Sequence, residues 1–161
     1  MLPLKNKLYR FALSYLRDED EAKDIVQEVM IKLWQNLQAN KKINNIEAWS
    51  MTCTRNKSLD RMKSKSYANQ SLEGQYDLQY NEDDPSQILE NKELLSHVGE
   101  IVDQLSLKQR EVVRLRDFEG MSYKEIEEIM GLDMNQVKVN LFRARKFIKE
   151  KMDKVIKYGL S

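Results

Sequence analysis

Three helix-start signals stand within about 30 residues of one another, and each opens an apolar repeat. Ser106 with Gln109, Ser122 with Glu125 and Asp133 with Gln136 each pair a capping residue with an amide or carboxylate three positions on. In such a box the two side chains satisfy free backbone N–H groups for each other. Gly120 and Gly131 follow the first two runs, where a left-handed residue ends a helix. The spacing predicts three helices over residues 106–149, the middle one short (123–130), with the tight turn Gly131-Leu132-Asp133 before the last. A short helix, a Gly-containing turn and a second helix rich in polar and basic side chains form a helix-turn-helix. In that unit the second helix lies in the DNA major groove and its N-terminal residues meet base edges. Asn135, Gln136, Lys138, Val139 and Asn140 occupy that position. Asn and Gln can bond adenine twice, and Lys can reach guanine or phosphate. A helical hairpin buried in a core would need the same packing residues, so the charge discriminates. Residues 134–158 hold eight basic groups against two acidic ones.

The chain as a whole hides this asymmetry. Its net charge is +1. Residues 1–64 carry 12 basic and 8 acidic groups, 65–104 carry 2 and 9, and 105–161 carry 13 and 9. Two basic blocks therefore flank an acidic one, and charge per segment is the informative measure. With 161 residues, 5 Gly and 2 Pro, the chain suits two small helical domains. One Cys and one His cannot form an internal disulfide or an ordinary zinc site, so no metal and no cofactor is expected. No apolar run approaches membrane-spanning length and the N-terminus lacks a secretory signal, so the cytoplasm is the expected compartment. No phosphate loop, Cys/His metal spacing or catalytic constellation appears, which argues against an enzyme.

Apolar periodicity predicts helices over 4–16, 21–37 and 47–63 in the first half. Asp18 or Asp20 could cap the second. Its buried stripe is expected to be Ile25, Val26, Val29, Met30, Leu33, Trp34 and Leu37. The third is expected to turn Ala48, Trp49, Thr52, Cys53, Asn56, Leu59 and Met62 to one side. Arg55, Lys57, Arg61 and Lys63 then make its polar side basic. Residues 66–86 lack a helical period and read as a flexible acidic linker, with Pro85 suited to the first turn of a further helix that runs to about 105. The expected architecture is all-α. It has two small helical domains, 1–65 and 87–161, joined by that linker, and the second contains the helix-turn-helix.

The chain resembles the extracytoplasmic-function (ECF) sigma factors of bacterial RNA polymerase. The likeness rests on EDEAKDIVQEVMIKLWQNL and EAWSMTCTRNKSLDRMKSKS in the first half and on LSLKQREVVRLRDFEGMSYKEIEEIMGLDMNQVKVNLFRARKFIK in the second. It implies a transcription-initiation subunit that is not itself an enzyme, with core polymerase and promoter DNA as partners. The family's polymerase-binding pattern, D-x-x-Q-E, falls on Asp24, Gln27 and Glu28. Its pocket for the single-stranded −10 element falls on the loop Lys41, Lys42, Ile43, Asn44, Asn45, Ile46 and on Asn56, with Arg55, Lys57, Arg61 and Lys63 holding phosphates. Trp49 either packs in the core or backs that pocket. Recognition of the duplex −35 element falls on Asn135, Gln136, Lys138, Val139 and Asn140. Arg143, Arg145 and Lys146 map to backbone-contacting or packing positions. A frequent family pattern has Ser-Arg where this chain has Val139-Asn140, so the resemblance carries over the mode of DNA binding but not the base preference. A helical anti-sigma protein is a further implied partner. The competing reading is a stand-alone helix-turn-helix regulator, which needs no polymerase face.

Overall fold

A computed structural model describes residues 2–69 and 89–158, and all its regular structure there is helical. The helices are α1 (Leu2–Leu16), α2 (Glu19–Gln38), α3 (Ile46–Asn69), α4 (Leu89–Asp103), α5 (Leu107–Val113), α6 (Tyr123–Met130) and α7 (Met134–Tyr158). They fall into two compact units, one built on α1–α3 and the other on the helices from α4 onward.

In the first unit the chain reverses twice, and each reversal is written in capping chemistry. Arg17 takes a left-handed φ of 55° and its N–H reaches Leu13 O at 2.9 Å, which closes α1. Asp18 then caps α2 by accepting from Glu21 N at 3.1 Å. At the far end Asn40, also at φ 55°, supports a paired closure in which Asn40 N reaches Leu37 O and Lys41 N reaches Asn36 O. Asn45 opens α3 by accepting from Ala48 N at 3.0 Å. Leu8, Phe11, Ala12, Ile25, Val29 and Met51 are fully buried or nearly so and form the core.

Two expectations about this core are corrected. Trp34 and Leu37 do not close the α2 stripe; Trp34 is 62% exposed and Leu37 is 46% exposed. By that point on the helix the core-facing position belongs to Leu33. In α3 the buried series is Ala48, Ser50, Met51, Thr54 and Ser58, while Trp49, Thr52, Cys53, Leu59 and Met62 are only half-buried and Asn56 is exposed. Apart from Met51, small residues and not the large apolar ones fill the buried face of α3. Thr54 satisfies its hydroxyl within the helix by donating to Ser50 O at 2.8 Å. α3 also runs six residues further than the periodicity implied, to Asn69. No Gly or Pro stops it, and Lys65 is ion-paired with Glu21 of α2. The first four residues of the expected linker are therefore helical. The remainder of that linker lies outside the described residues.

The second unit packs α4 and α5 against α7, around Ile101, Val102, Leu105, Val112, Val113, Leu115, Ile126, Val137 and Leu141. α5 does not stop at Val113. It widens into a π-type turn over Arg114–Phe118, where Glu119 N bonds Arg114 O, five residues back. Gly120 at φ 69° then reverses the chain and Met121 is buried beneath it.

Candidate nucleic-acid interface

The helix-turn-helix forms as its caps prescribe. Ser122 accepts from Glu125 N at 3.1 Å, and the Glu125 carboxylate accepts from Ser122 N at 3.0 Å. Gly131, at φ 66°, ends α6, and its N–H reaches Glu127 O. Asp133 and Gln136 repeat the reciprocal pair at the start of α7, with bonds of 2.8 and 3.1 Å. Ser106 forms its half of the first box with Gln109 N at 3.4 Å. Each cap removes unsatisfied N–H groups at a helix start and contributes roughly 1 kcal/mol.

These caps fix the roll of α7. Val137, Leu141 and Ala144 point into the core, and the opposite face shows Asn135, Lys138, Val139, Phe142, Arg143 and Lys146 to solvent. Lys108, from the first turn of α5, joins Asn135, Val139 and Arg143 around one furrow of this surface. Tyr123, Lys138, Phe142, Lys146 and Lys149 line a second. Among the described residues Lys108, Lys138, Arg143, Lys146 and Lys149 have no ion-pair partner, which leaves their charge to the solvent side. Arg145 differs from its neighbours. Its guanidinium binds both carboxylate oxygens of Asp117 in the π-type turn, at 3.1 and 2.6 Å. That hydrogen bond holds its pKa above the usual guanidinium value.

The corresponding surface of the first unit is made by α2, α3 and the loop between them. Lys41, Lys42 and Asn44 are exposed on the loop, while Asn45 commits its side-chain oxygen to the α3 cap. Asn56 and Lys63 are exposed on the outer face of α3, and Arg55 is half-buried. Trp49 is half-buried on that side, with Lys32 Nζ 6.0 Å from its ring centroid. Cys53 stands one turn on from Trp49. Burial pushes its thiol pKa up, against the opposing pull of Lys32 and Lys57. Two of the cations expected on this face are already occupied. Glu28 binds Arg61 at 2.9 Å and Lys57 at 3.4 Å, and Arg61 also reaches Glu21 O at 3.3 Å. Asp24 and Gln27 lie on the solvent side of α2, together with Ile31 (51% exposed) and Trp34.

Comparison with known proteins matches this division. The family Sigma-70 region 2 matches residues 3–67, and Sigma-70 region 4 matches residues 97–148. The chain belongs to the ECF sigma factors. The sigma factor SigV of Bacillus subtilis is 27% identical, over 93% of this chain and 87% of its own length. The ECF sigma factor SigE of Mycolicibacterium smegmatis is 28% identical over 92% of this chain, which spans 58% of that longer relative. Among solved structures, the sigma factor RpoE in complex with the anti-sigma factor NepR from Bartonella quintana superposes with a TM-score of 0.77, at 25% identity over 94% of this chain and 93% of that one. CnrH in complex with the cytosolic domain of CnrY shares the fold, with a TM-score of 0.62 at 22% identity.

Within this sigma factor, three residues of the candidate surfaces escape a reading of sequence alone. Ile31 and Trp34 are large and apolar in a helix, which argues for the core; only the roll of α2 places them outside with Asp24 and Gln27. Lys108 lies 27 residues before Asn135 in sequence and reaches the same furrow through the packing of α5 on α7. As a sigma factor the chain is a recognition subunit and not an enzyme. No helix of the described residues is long and apolar enough to cross a membrane.

Proposed function

We propose that this sigma factor binds core RNA polymerase through the outer face of α2 and carries it to promoters through two separate DNA contacts. The single observation that most supports this reading is the composition of the α2 face. Asp24 and Gln27 offer a carboxylate and an amide to basic and polar partner groups, and Ile31 and Trp34 supply exposed apolar area beside them. A stand-alone regulator needs no polymerase face and would use this surface only for sensing or dimerisation. Large exposed apolar side chains in a polar surround are the usual mark of a protein interface.

In this reading the loop Lys41, Lys42 and Asn44, with Asn56 and Trp49, takes bases of the −10 element from single-stranded DNA. Arg55, Lys57, Arg61 and Lys63 hold its phosphates. Extruding a base costs a few kcal/mol, which stacking and hydrogen bonds in the pocket must return. Asn45 serves the pocket indirectly, by fixing where α3 starts. The −35 element lies against α7 as duplex, with Asn135, Gln136, Lys138, Val139 and Asn140 toward the bases and Arg143, Lys146 and Lys108 toward phosphates. Arg145 braces α7 through Asp117. The site of action is the cytoplasm, where polymerase and promoter are.

A helical anti-sigma protein belongs to the same proposal. One structural relative was solved with the anti-sigma factor NepR, and another with the cytosolic domain of CnrY. Here a groove of about 800 Å3 between α1 and α2, lined by Lys5, Tyr9, Lys23, Met30, Ile31 and Trp34, could hold one.

Reconstitution tests the proposal. The full chain with core polymerase should initiate from a promoter with −35 and −10 elements, and Asp24→Arg should lose initiation while keeping its helical circular dichroism. Normal initiation by that variant would remove the assigned polymerase face. Tight duplex binding by the free chain, with no polymerase association, would favour a stand-alone regulator.

A further inference from the structure

We propose that the −35 base preference of this chain is set by an apolar ridge, Val139 and Phe142, which reads the 5-methyl groups of thymine. The inference rests on the assignment of α7 to the −35 major groove and adds to it the chemistry of the readout.

Of the three amides expected to read adenine, Asn135 is exposed, whereas Gln136 and Asn140 are engaged within α7. Paired hydrogen bonds to adenine need both the oxygen and the nitrogen of a Gln or Asn side chain. Gln136 Oε1 accepts from Asp133 N at 3.1 Å, as half of the capping box. Asn140 Nδ2 donates to Gln136 O at 2.7 Å. The partners fix which amide atom is which, because a backbone N–H can only donate and a carbonyl oxygen can only accept. Each of these two amides already turns one polar atom back onto the helix, which leaves it poorly placed to present both atoms to a base.

What stands out from α7 instead is apolar. Phe142 is 69% exposed and Val139 is 44% exposed. They are three residues apart, so they form one ridge along the helix. The core does not use them, since Val137, Leu141 and Ala144 fill the buried face. The ridge runs between the two furrows already described. Lys108 and Arg143 border it on one side, and Lys138, Lys146 and Lys149 on the other. None of these five cations has an ion-pair partner among the described residues. An apolar crest with cations on both flanks matches the major groove, whose walls are phosphates and whose floor is base edges. An acidic protein surface would match the flanks and leave the crest unexplained unless it also supplied an apolar slot. On the base edges of the major groove the apolar group is the thymine methyl.

The test uses the full chain assembled with core polymerase. Promoter duplexes selected by this holoenzyme are remade with each thymine of the −35 element replaced in turn by deoxyuridine, which removes only the methyl group. The proposal expects one or two positions at which binding falls about fourfold, the loss of one buried methyl contact. It expects Phe142→Ala and Val139→Ala holoenzymes to bind more weakly and to have lost that sensitivity. Both side chains are exposed, so both variants should fold, and circular dichroism checks this. If no deoxyuridine matters while a scrambled −35 element still abolishes binding, the methyl readout is overturned and the −35 assignment survives. A methyl effect that persists in both alanine variants would also overturn it, since the ridge would not be its reader. If scrambling the −35 element changes nothing, the −35 assignment fails and the proposal fails with it.

Discussion

The two basic surfaces of this sigma factor are built differently. On α7, Lys138, Arg143, Lys146 and Lys149 stand without ion-pair partners among the described residues, on a helix whose roll is fixed by two reciprocal caps and by Arg145 on Asp117. On the first unit, Lys57 and Arg61 are held by Glu28, and Lys65 by Glu21. Glu28 is also part of the pattern assigned to polymerase. In the proposed reading the first surface is ready for duplex DNA, whereas the second must exchange a carboxylate for a phosphate, an exchange that a partner engaging Glu28 would favour. Exposed pairs of this kind contribute only about 0.2–1 kcal/mol each. They act as a bias and not as a lock. The contrast fits a protein that takes duplex directly and captures opened DNA only within the polymerase complex.

Reversing Asp24 to Arg should lower polymerase-dependent initiation by at least about 100-fold, because a like charge against a basic partner surface costs several kcal/mol. Binding of the free chain to −35 duplex should be unchanged by it, as gel-shift titration would show. Equal loss of both activities would mean that Asp24 supports the fold. Next, Leu141→Ala removes a buried side chain beneath the α7 face. Urea unfolding should register a loss of about 3 kcal/mol in the second unit. Ser122→Ala breaks the complete capping box at α6 and should cost about 1 kcal/mol in the same assay. Smaller still, Glu28→Gln should raise the affinity of the free chain for a −10 single strand about two- to fivefold, since it frees Lys57 and Arg61. The gain should shrink as salt is raised. An unchanged affinity would separate the ion pairs from DNA capture.

Cys53 gives a pH test of the first unit. Burial raises its thiol pKa in the folded chain above the ordinary thiol value. The thiolate is therefore scarcer in the fold, and alkylation near pH 8 should be slower than in urea. The contribution of the protonated thiol is fully present below the unfolded pKa and is lost as pH rises through the folded one.

Much of the second unit could be read from the chain, because capping is local chemistry. Ser122 with Glu125, Asp133 with Gln136, and the two left-handed glycines each lie within a few residues of their partners, and the structure forms them as read. The first unit was less legible for physical reasons. α3 buries Ser50, Thr54 and Ser58, whose small size permits close packing and whose hydroxyls hide the apolar phase of the helix. Trp34 and Ile31 continue an apolar rhythm yet face outward, and size alone cannot show that. The π-type turn after α5 has no local signature, since Arg114–Phe118 reads as ordinary helix. The occupancy of the candidate site residues was also hidden. Glu28 meets Arg61 across 33 residues and Arg145 meets Asp117 across 28, so both depend on packing. Asn140, by contrast, turns back on its own helix, a choice that its sequence neighbours leave open.

The central claim is that one DNA surface is preformed and the other depends on a partner. The most direct test measures the affinity of the full chain, free and with core polymerase, for a −35 duplex and for a −10 single strand over the same range of salt. The account predicts measurable sequence-dependent duplex binding by the free chain and −10 strand discrimination only once polymerase is added. Sequence-specific capture of the −10 strand by the free chain, as tight as its duplex binding, would contradict it.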